Sequence, residues 1–213
     1  MKLMYYNFVT IQFTAIYKLI KMKTMMPQLQ LFSTFIFCFL FSVGALSSQD
    51  EIKPKKGYAP QIGTTVMMLE DLKRRVTNSV RNLSQEETDF LLDEQANRIG
   101  AMILHLAATE KYYQVYTFEN RGLNKEEGER WDVAQSLGDA GRTQLVGKPI
   151  SYYLEIWDEV REETLRLLKT KDDKWFEDMV KGSSMNNHWA WYHVMEHQAN
   201  HMGQIRMIIK RAK

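Results

Sequence analysis

Cysteine is almost absent. The 213 residues contain one, Cys38, and it sits inside an uncharged apolar run near the N-terminus. If that run is removed, no thiol remains. A disulfide, a cysteine nucleophile and a thiolate metal ligand are then all excluded, so a bound metal must be held by nitrogen and oxygen. A dominant basic charge is also lacking. The formal net charge is +2, but Lys2, Lys18, Lys21 and Lys23 account for all the charge of residues 1–47. The rest of the chain carries 24 basic and 26 acidic side chains, which removes the usual electrostatic motive for binding nucleic acid. No internal repeat is visible, and no stretch shows the strand-like alternation bounded by turns that would mark hairpins.

What is there begins with an address. Leu31 to Leu46 reads LFSTFIFCFLFSVGAL, preceded by Lys21 and Lys23 and ending in small residues. A basic flank, a short apolar core and a small-residue end predict a secretory signal peptide. The run is shorter than the roughly 20 apolar residues of a membrane span; an uncleaved anchor is the alternative. Residues 1–21 fit poorly ahead of it and read as an over-extended gene start, with Met22, Met25 or Met26 as the true one. The expected division is an N-terminal extension and signal peptide over 1–47, a linker over 48–60 and one all-α domain over 61–213. The mature protein is expected to be exported, periplasmic or secreted, with no membrane association after cleavage.

The rest of the pattern is helical. Val66, Leu69, Leu72, Val76, Val80 and Leu83 share one stripe of a helix predicted over Ile62–Asn82. Ser84 and Glu87 form a capping box opening a short segment that ends near Gln95. A second helix is expected over Ala96–Phe118. Glu119–Lys148 reads as a long polar connection with five glycines, anchored by Trp131; connections of that length are often functional or partly helical. A third helix should follow Pro149 to about Lys169, and a fourth, capped by Asn186 or Asn187, should run to about Lys210. Four such helices predict a four-helix bundle, whose core commonly houses metal ligands.

The five histidines carry the chemistry. His193, His197 and His201 are spaced by four, so they stack along one side of the last helix. On a helical projection His201 lies near the centre of the apolar stripe and His197 at its edge, while His193 turns toward the polar face. Two inward imidazoles four residues apart need partners for several ring nitrogens, and one metal ion satisfies one nitrogen of each. His105, on the second helix and flanked by Ala101 and Ala108, is the third candidate. Three histidines leave a coordination position open, which is the catalytic rather than the structural pattern. The Glu-x-x-His signature of di-iron bundles is absent. His193-Val-Met-Glu-His197 matches a short protease pattern, H-x-x-E-H, but only 16 residues follow His197 to supply its further ligand. Glu110 reads as a solvated or ion-paired surface carboxylate, and no general base is identified. Gln204, one turn from His201, is a candidate to orient an imidazole. Most of the aromatics Tyr112, Tyr113, Tyr116, Trp157, Trp189 and Trp191 read as core.

From about Tyr58 to Arg211 the chain resembles the DinB superfamily, the DinB-like metal-dependent hydrolase group. The resemblance rests on LSQEE at 83–87, on IG at 99–100 leading to ILHL at 103–106 and Glu110, and on EHQANHMGQI at 196–205. It implies a four-helix bundle holding one divalent metal, zinc or nickel, through His105, His197 and His201, with frequent dimerisation. The activities it implies are diverse and include transfer or isomerisation with a low-molecular-weight thiol. Such thiols are mainly cytoplasmic, so export argues against that chemistry here. Met202 departs from the superfamily pattern, where many members carry a basic residue. The expected function is therefore a metal-dependent hydrolase or group transferase acting on an unspecified small molecule. The alternatives are a metal- or ligand-binding bundle without catalysis, or a metal-free helical protein working through its surfaces.

Overall fold

A computed structural model describes residues 51–212. The expected signal peptide and the sequence ahead of it lie outside the described residues. Within them the chain is all-α, with no strand beyond an isolated bridge between Met179 and Asn186. None of the described helices is long and apolar enough to cross a membrane. The elements are α1 (Pro60–Val80), α2 (Gln85–Asp89), α3 (Ile99–Gln114) continued by a π-helical turn (Val115–Glu119), α4 (Lys125–Ser136), α5 (Gly138–Gln144), α6 (Ile150–Leu168), α7 (Asp173–Glu177) and α8 (Asn187–Arg211).

Helix starts follow local chemistry. Pro60 occupies the first turn of α1, where its missing N–H costs nothing. Ala59 before it offers no capping side chain, and the free donors of Gln61 and Ile62 go instead to the Asp173 carboxylate of α7, at 3.0 and 3.3 Å. The Ser84–Glu87 capping box forms as expected. The helix it opens stops at Asp89 rather than Gln95, because Phe90 turns extended and packs against the core. Asn186 caps α8 by accepting from the N–H of Trp189 at 2.8 Å.

Two further expectations need correction. The second long helix begins at Ile99, not Ala96. Arg98 is held extended while its guanidinium donates to the carbonyls of Asp89 and Arg142. The polar connection 119–148 is mostly two helices. Asn124 and Glu127 make a second capping box at the start of α4. The two helices meet at Leu137 and Gly138, both at positive φ (53° and 61°), where a non-glycine residue is unusual. Trp131, 4% exposed, anchors this segment as its sequence suggested.

The helix α3 is buried almost all round: every residue from Ile99 to Glu110 except His105 is buried. Such a helix belongs at the centre of a fold, and α3 packs against α6, α4 and α8, while α1 packs against α8 and α6. Its most extensive packing is against α6. A Cβ on Gly100 would stand 2.4 Å from the Tyr153 ring, so glycine there is what lets the two helices meet. One apolar cluster surrounds Trp157, Ile103 and Ile205, and a second surrounds Trp191, Phe176 and Leu69.

Candidate metal centre

The helices α3 and α8 run antiparallel, since His105 meets His197 and His201 while Tyr113 meets His193. The 3.6-residue period places His197 and His201 one turn apart on the side of α8 that faces α3. Their ring centroids are 4.5 Å apart, and those of His105 lie 4.7 and 5.0 Å from them. The Nε2 atoms converge. That of His197 is 3.1 Å from Nε2 of His105 and 3.1 Å from Nε2 of His201. The three histidines expected from sequence are thus brought together, and among the described residues they form a group able to hold a metal ion. His193 is not part of it. It lies toward the outside of α8 with its Nδ1 3.4 Å from the Glu196 carboxylate.

The protonation pattern favours a cation at the centre. Nδ1 of His105 is 2.8 Å from the carbonyl oxygen of Ala134. A carbonyl only accepts, so Nδ1 carries the proton and Nε2 presents a lone pair. Nδ1 of His201 is 3.0 Å from Oε1 of Gln204, an acceptor that favours the same tautomer. Two lone pairs therefore point at Nε2 of His197, which has at most one proton to offer. At least one close nitrogen pair is left without a hydrogen. A divalent ion removes the conflict: nitrogens held at ~2.0–2.1 Å from one tetrahedral ion stand roughly 3.3 Å apart, close to the 3.1 Å of the two pairs that His197 makes.

The electrostatics agree. Burial pushes the His197 pKa down to about 3, helped by the neighbouring His201, His105 and His193. Burial and His105 take His201 down to about 4 against the pull of Gln204. His105 is lowered too, chiefly by burial, with the Ala134 and Gln135 backbone opposing. All three are neutral near pH 7, the form that binds metal.

More than a turn beyond His105 lies a group whose place differs from the one expected from the sequence. Glu110 is not on the surface but wholly buried. Arg161 of α6, 3% exposed, reaches it through Nε and Nη2 at 2.7 and 2.9 Å. Trp157 Nε1 donates to it at 3.1 Å and Gln198 Nε2 at 3.3 Å. Arg161 also donates to the Leu69 carbonyl and to Glu70 of α1. Burial works to raise the Glu110 pKa, but the charge and hydrogen bonds of Arg161, with Thr164 and Trp157, outweigh it and hold the carboxyl below its ordinary value. The signal that could have found this hub is an arginine lying within the inner stripe Tyr153, Trp157, Val160, Thr164 of α6. The Ala134 carbonyl had no signal, because a backbone acceptor carries no residue identity. Trp189 also departs from the core reading: it is 45% exposed.

Compared with known protein families, residues 64–211 match the family described as mycothiol-S-transferase. The chain belongs to the mycothiol-S-transferase family. That family lies within the DinB/YfiT-like superfamily, so the resemblance seen in the sequence holds. The match begins in α1 and ends with α8, so it spans all three histidines of this mycothiol-S-transferase family member. A comparison with curated proteins gives no match.

Proposed function

We propose that this protein is a metal-dependent group transferase built as a four-helix bundle of α1, α3, α6 and α8, with His105, His197 and His201 as the ligands of one divalent ion, zinc or nickel. The observation that carries the reading is the convergence of three neutral imidazoles on a point where their own protons cannot satisfy them. Three protein nitrogens leave a tetrahedral ion one open position. A divalent cation supplies Lewis acidity there, favouring the deprotonated, nucleophilic form of a thiol or of water near neutral pH. The chain's own residues bind and orient. Ala134 and Gln204 fix two imidazoles in the metal-binding tautomer, and the packed helices α3 and α8 hold the set.

The one cysteine of the sequence is Cys38 and residues 51–212 contain none, so no described side chain supplies an attacking thiol, and this reading takes it from a diffusible partner, as the family description suggests. The apolar run at 31–46 favours a second reading, a hydrolase using water, because an exported protein meets little low-molecular-weight thiol. The N-terminus of the protein recovered from its host separates the two. Cleavage near Ala45–Ser47 with recovery outside the cytoplasm supports the hydrolase; an intact, cytoplasmic chain supports the thiol transferase.

The centre itself is tested by elemental analysis of untagged protein beside four single variants. We expect about one ion per chain, lost in His105→Ala, His197→Ala and His201→Ala and kept in His193→Ala. No stoichiometric metal after incubation with zinc, nickel and manganese would sink the reading.

A further inference from the structure

Trp189, His193 and His197 occupy successive turns of α8, and their rings are nearly parallel. Trp189 and His193 have centroids 5.2 Å apart with planes 5° from parallel; His193 and His197 are 5.9 Å apart at 13°. The rings form a stepped series that starts on an exposed indole and ends on an imidazole of the three-histidine centre. His193 is fixed in the middle. Tyr113, itself buried, packs edge-on beneath it at 5.8 Å, and Glu196 stands beside its Nδ1.

A single exposed tryptophan needs no explanation. Here, though, the indole is 45% exposed, Tyr192 on the next position round is equally exposed, and the ring series runs without a break to the candidate centre. Aromatic groups prefer offset, parallel stacking with centroids within about 4.5–7 Å, and both steps already have that geometry. A flat conjugated ring laid on the open face of Trp189, or on the part of a stepped face that its offset neighbour leaves uncovered, is parallel to the whole series, whereas a puckered aliphatic group gains no such overlap. The last step is His197, so a molecule long enough to follow the series from Trp189 reaches the three histidines.

We propose that Trp189 and His193 form a stacking shelf beside the three-histidine centre, on which a flat, conjugated part of a small-molecule substrate lies. This rests on the metal-centre reading above and gives that centre a substrate class. His193 acts as a positioning residue and not as a ligand.

The test uses the full-length, zinc-loaded protein with 1,3-dinitrobenzene as the flat probe and cyclohexanone as the puckered one. Binding is followed by equilibrium dialysis, and zinc is measured in the same samples. We expect 1,3-dinitrobenzene to bind in preference to cyclohexanone. Its affinity should fall about five-fold in Trp189→Leu and in His193→Leu, a loss typical of one stacking contact. It should be kept in Trp189→Phe and in Tyr152→Leu, an exposed tyrosine on another helix. Zinc content should be unchanged throughout. Equal affinity of Trp189→Leu and the unmutated protein with zinc retained overturns the shelf alone, as does absent binding or equal binding of the two probes. Absence of zinc from the unmutated protein overturns the centre and the shelf's role with it.

Discussion

Removing one half of the Glu110–Arg161 pair isolates a charge in the core. In Arg161→Met the carboxylate keeps the donors of Trp157 and Gln198 but loses the guanidinium that holds it ionised. Breaking a buried pair from one side typically costs about 3–5 kcal/mol, because the remaining charge is uncompensated. Here the Leu69 carbonyl and Glu70 also lose the Arg161 donor, with Lys55 at 3.8 Å left to Glu70, which places the expected cost toward the top of that range. For a domain of this size roughly 2–4 °C is lost per kcal/mol, so we predict a melting temperature about 10–20 °C lower, with a matching fall in the urea midpoint. The companion variant Glu110→Gln/Arg161→Met removes both charges and keeps an amide oxygen to accept from Trp157. It should recover more than half of the loss, as replacements of whole buried pairs tend to do. A cost below about 1 kcal/mol for Arg161→Met, or a double variant no more stable than the single one, would refute the argument that charge isolation is the penalty.

Three further predictions follow from geometry. Gly100→Ala places a methyl 2.4 Å from the Tyr153 ring and should cost about 1–3 kcal/mol by overpacking; a urea midpoint equal to that of the unmutated protein would contradict the close contact of α3 and α6. Gln204→Leu frees the Nδ1 side of His201 and should weaken metal binding by about 10–100-fold in competition with a chelator; unchanged affinity would deny Gln204 its orienting role. For the metal-free protein, His197 and His201 titrate near 3 and 4 when folded against 6.5 otherwise. Below pH 6.5 the unfolded chain takes up protons that the folded state refuses. Stability should therefore be flat above about pH 7 and fall between pH 6.5 and 4. An equal pH slope in a His197→Asn/His201→Asn variant would show that other groups set it.

The sequence revealed most where periodicity and side-chain identity coincide. The inner stripe of α1, the Ser84 box and the inward turn of His197 and His201 were all legible, because each is a local spacing rule applied to residues of unambiguous chemistry. His105 was legible as a candidate only, since one histidine on an apolar helix has no local partner and its role depends on α8 lying opposite. What escaped was set by distant partners. Glu110 looks like any helix-surface acid until Arg161, 51 residues later, meets it. Trp189 looks like core until the cap at Asn186 fixes the rotation of α8 and turns the indole outward. The two helices in 119–148 were hidden by glycines, because Gly128 and Gly141 lie within turns whose stability comes from the Asn124 box and from Trp131 rather than from helix propensity.

The contact between His105 and Ala134 has an evolutionary consequence. The acceptor is a main-chain oxygen, so every residue type that α4 tolerates at that position supplies it equally well. Point substitution at Ala134 changes packing but leaves the acceptor in place. The contact is exposed instead to changes in chain length: one residue inserted or deleted between Asn124 and Ala134 rotates the carbonyl by about 100° around the helix and takes it away from the imidazole. Relatives that keep this centre are therefore expected to vary freely in the residues of this segment and hardly at all in its spacing.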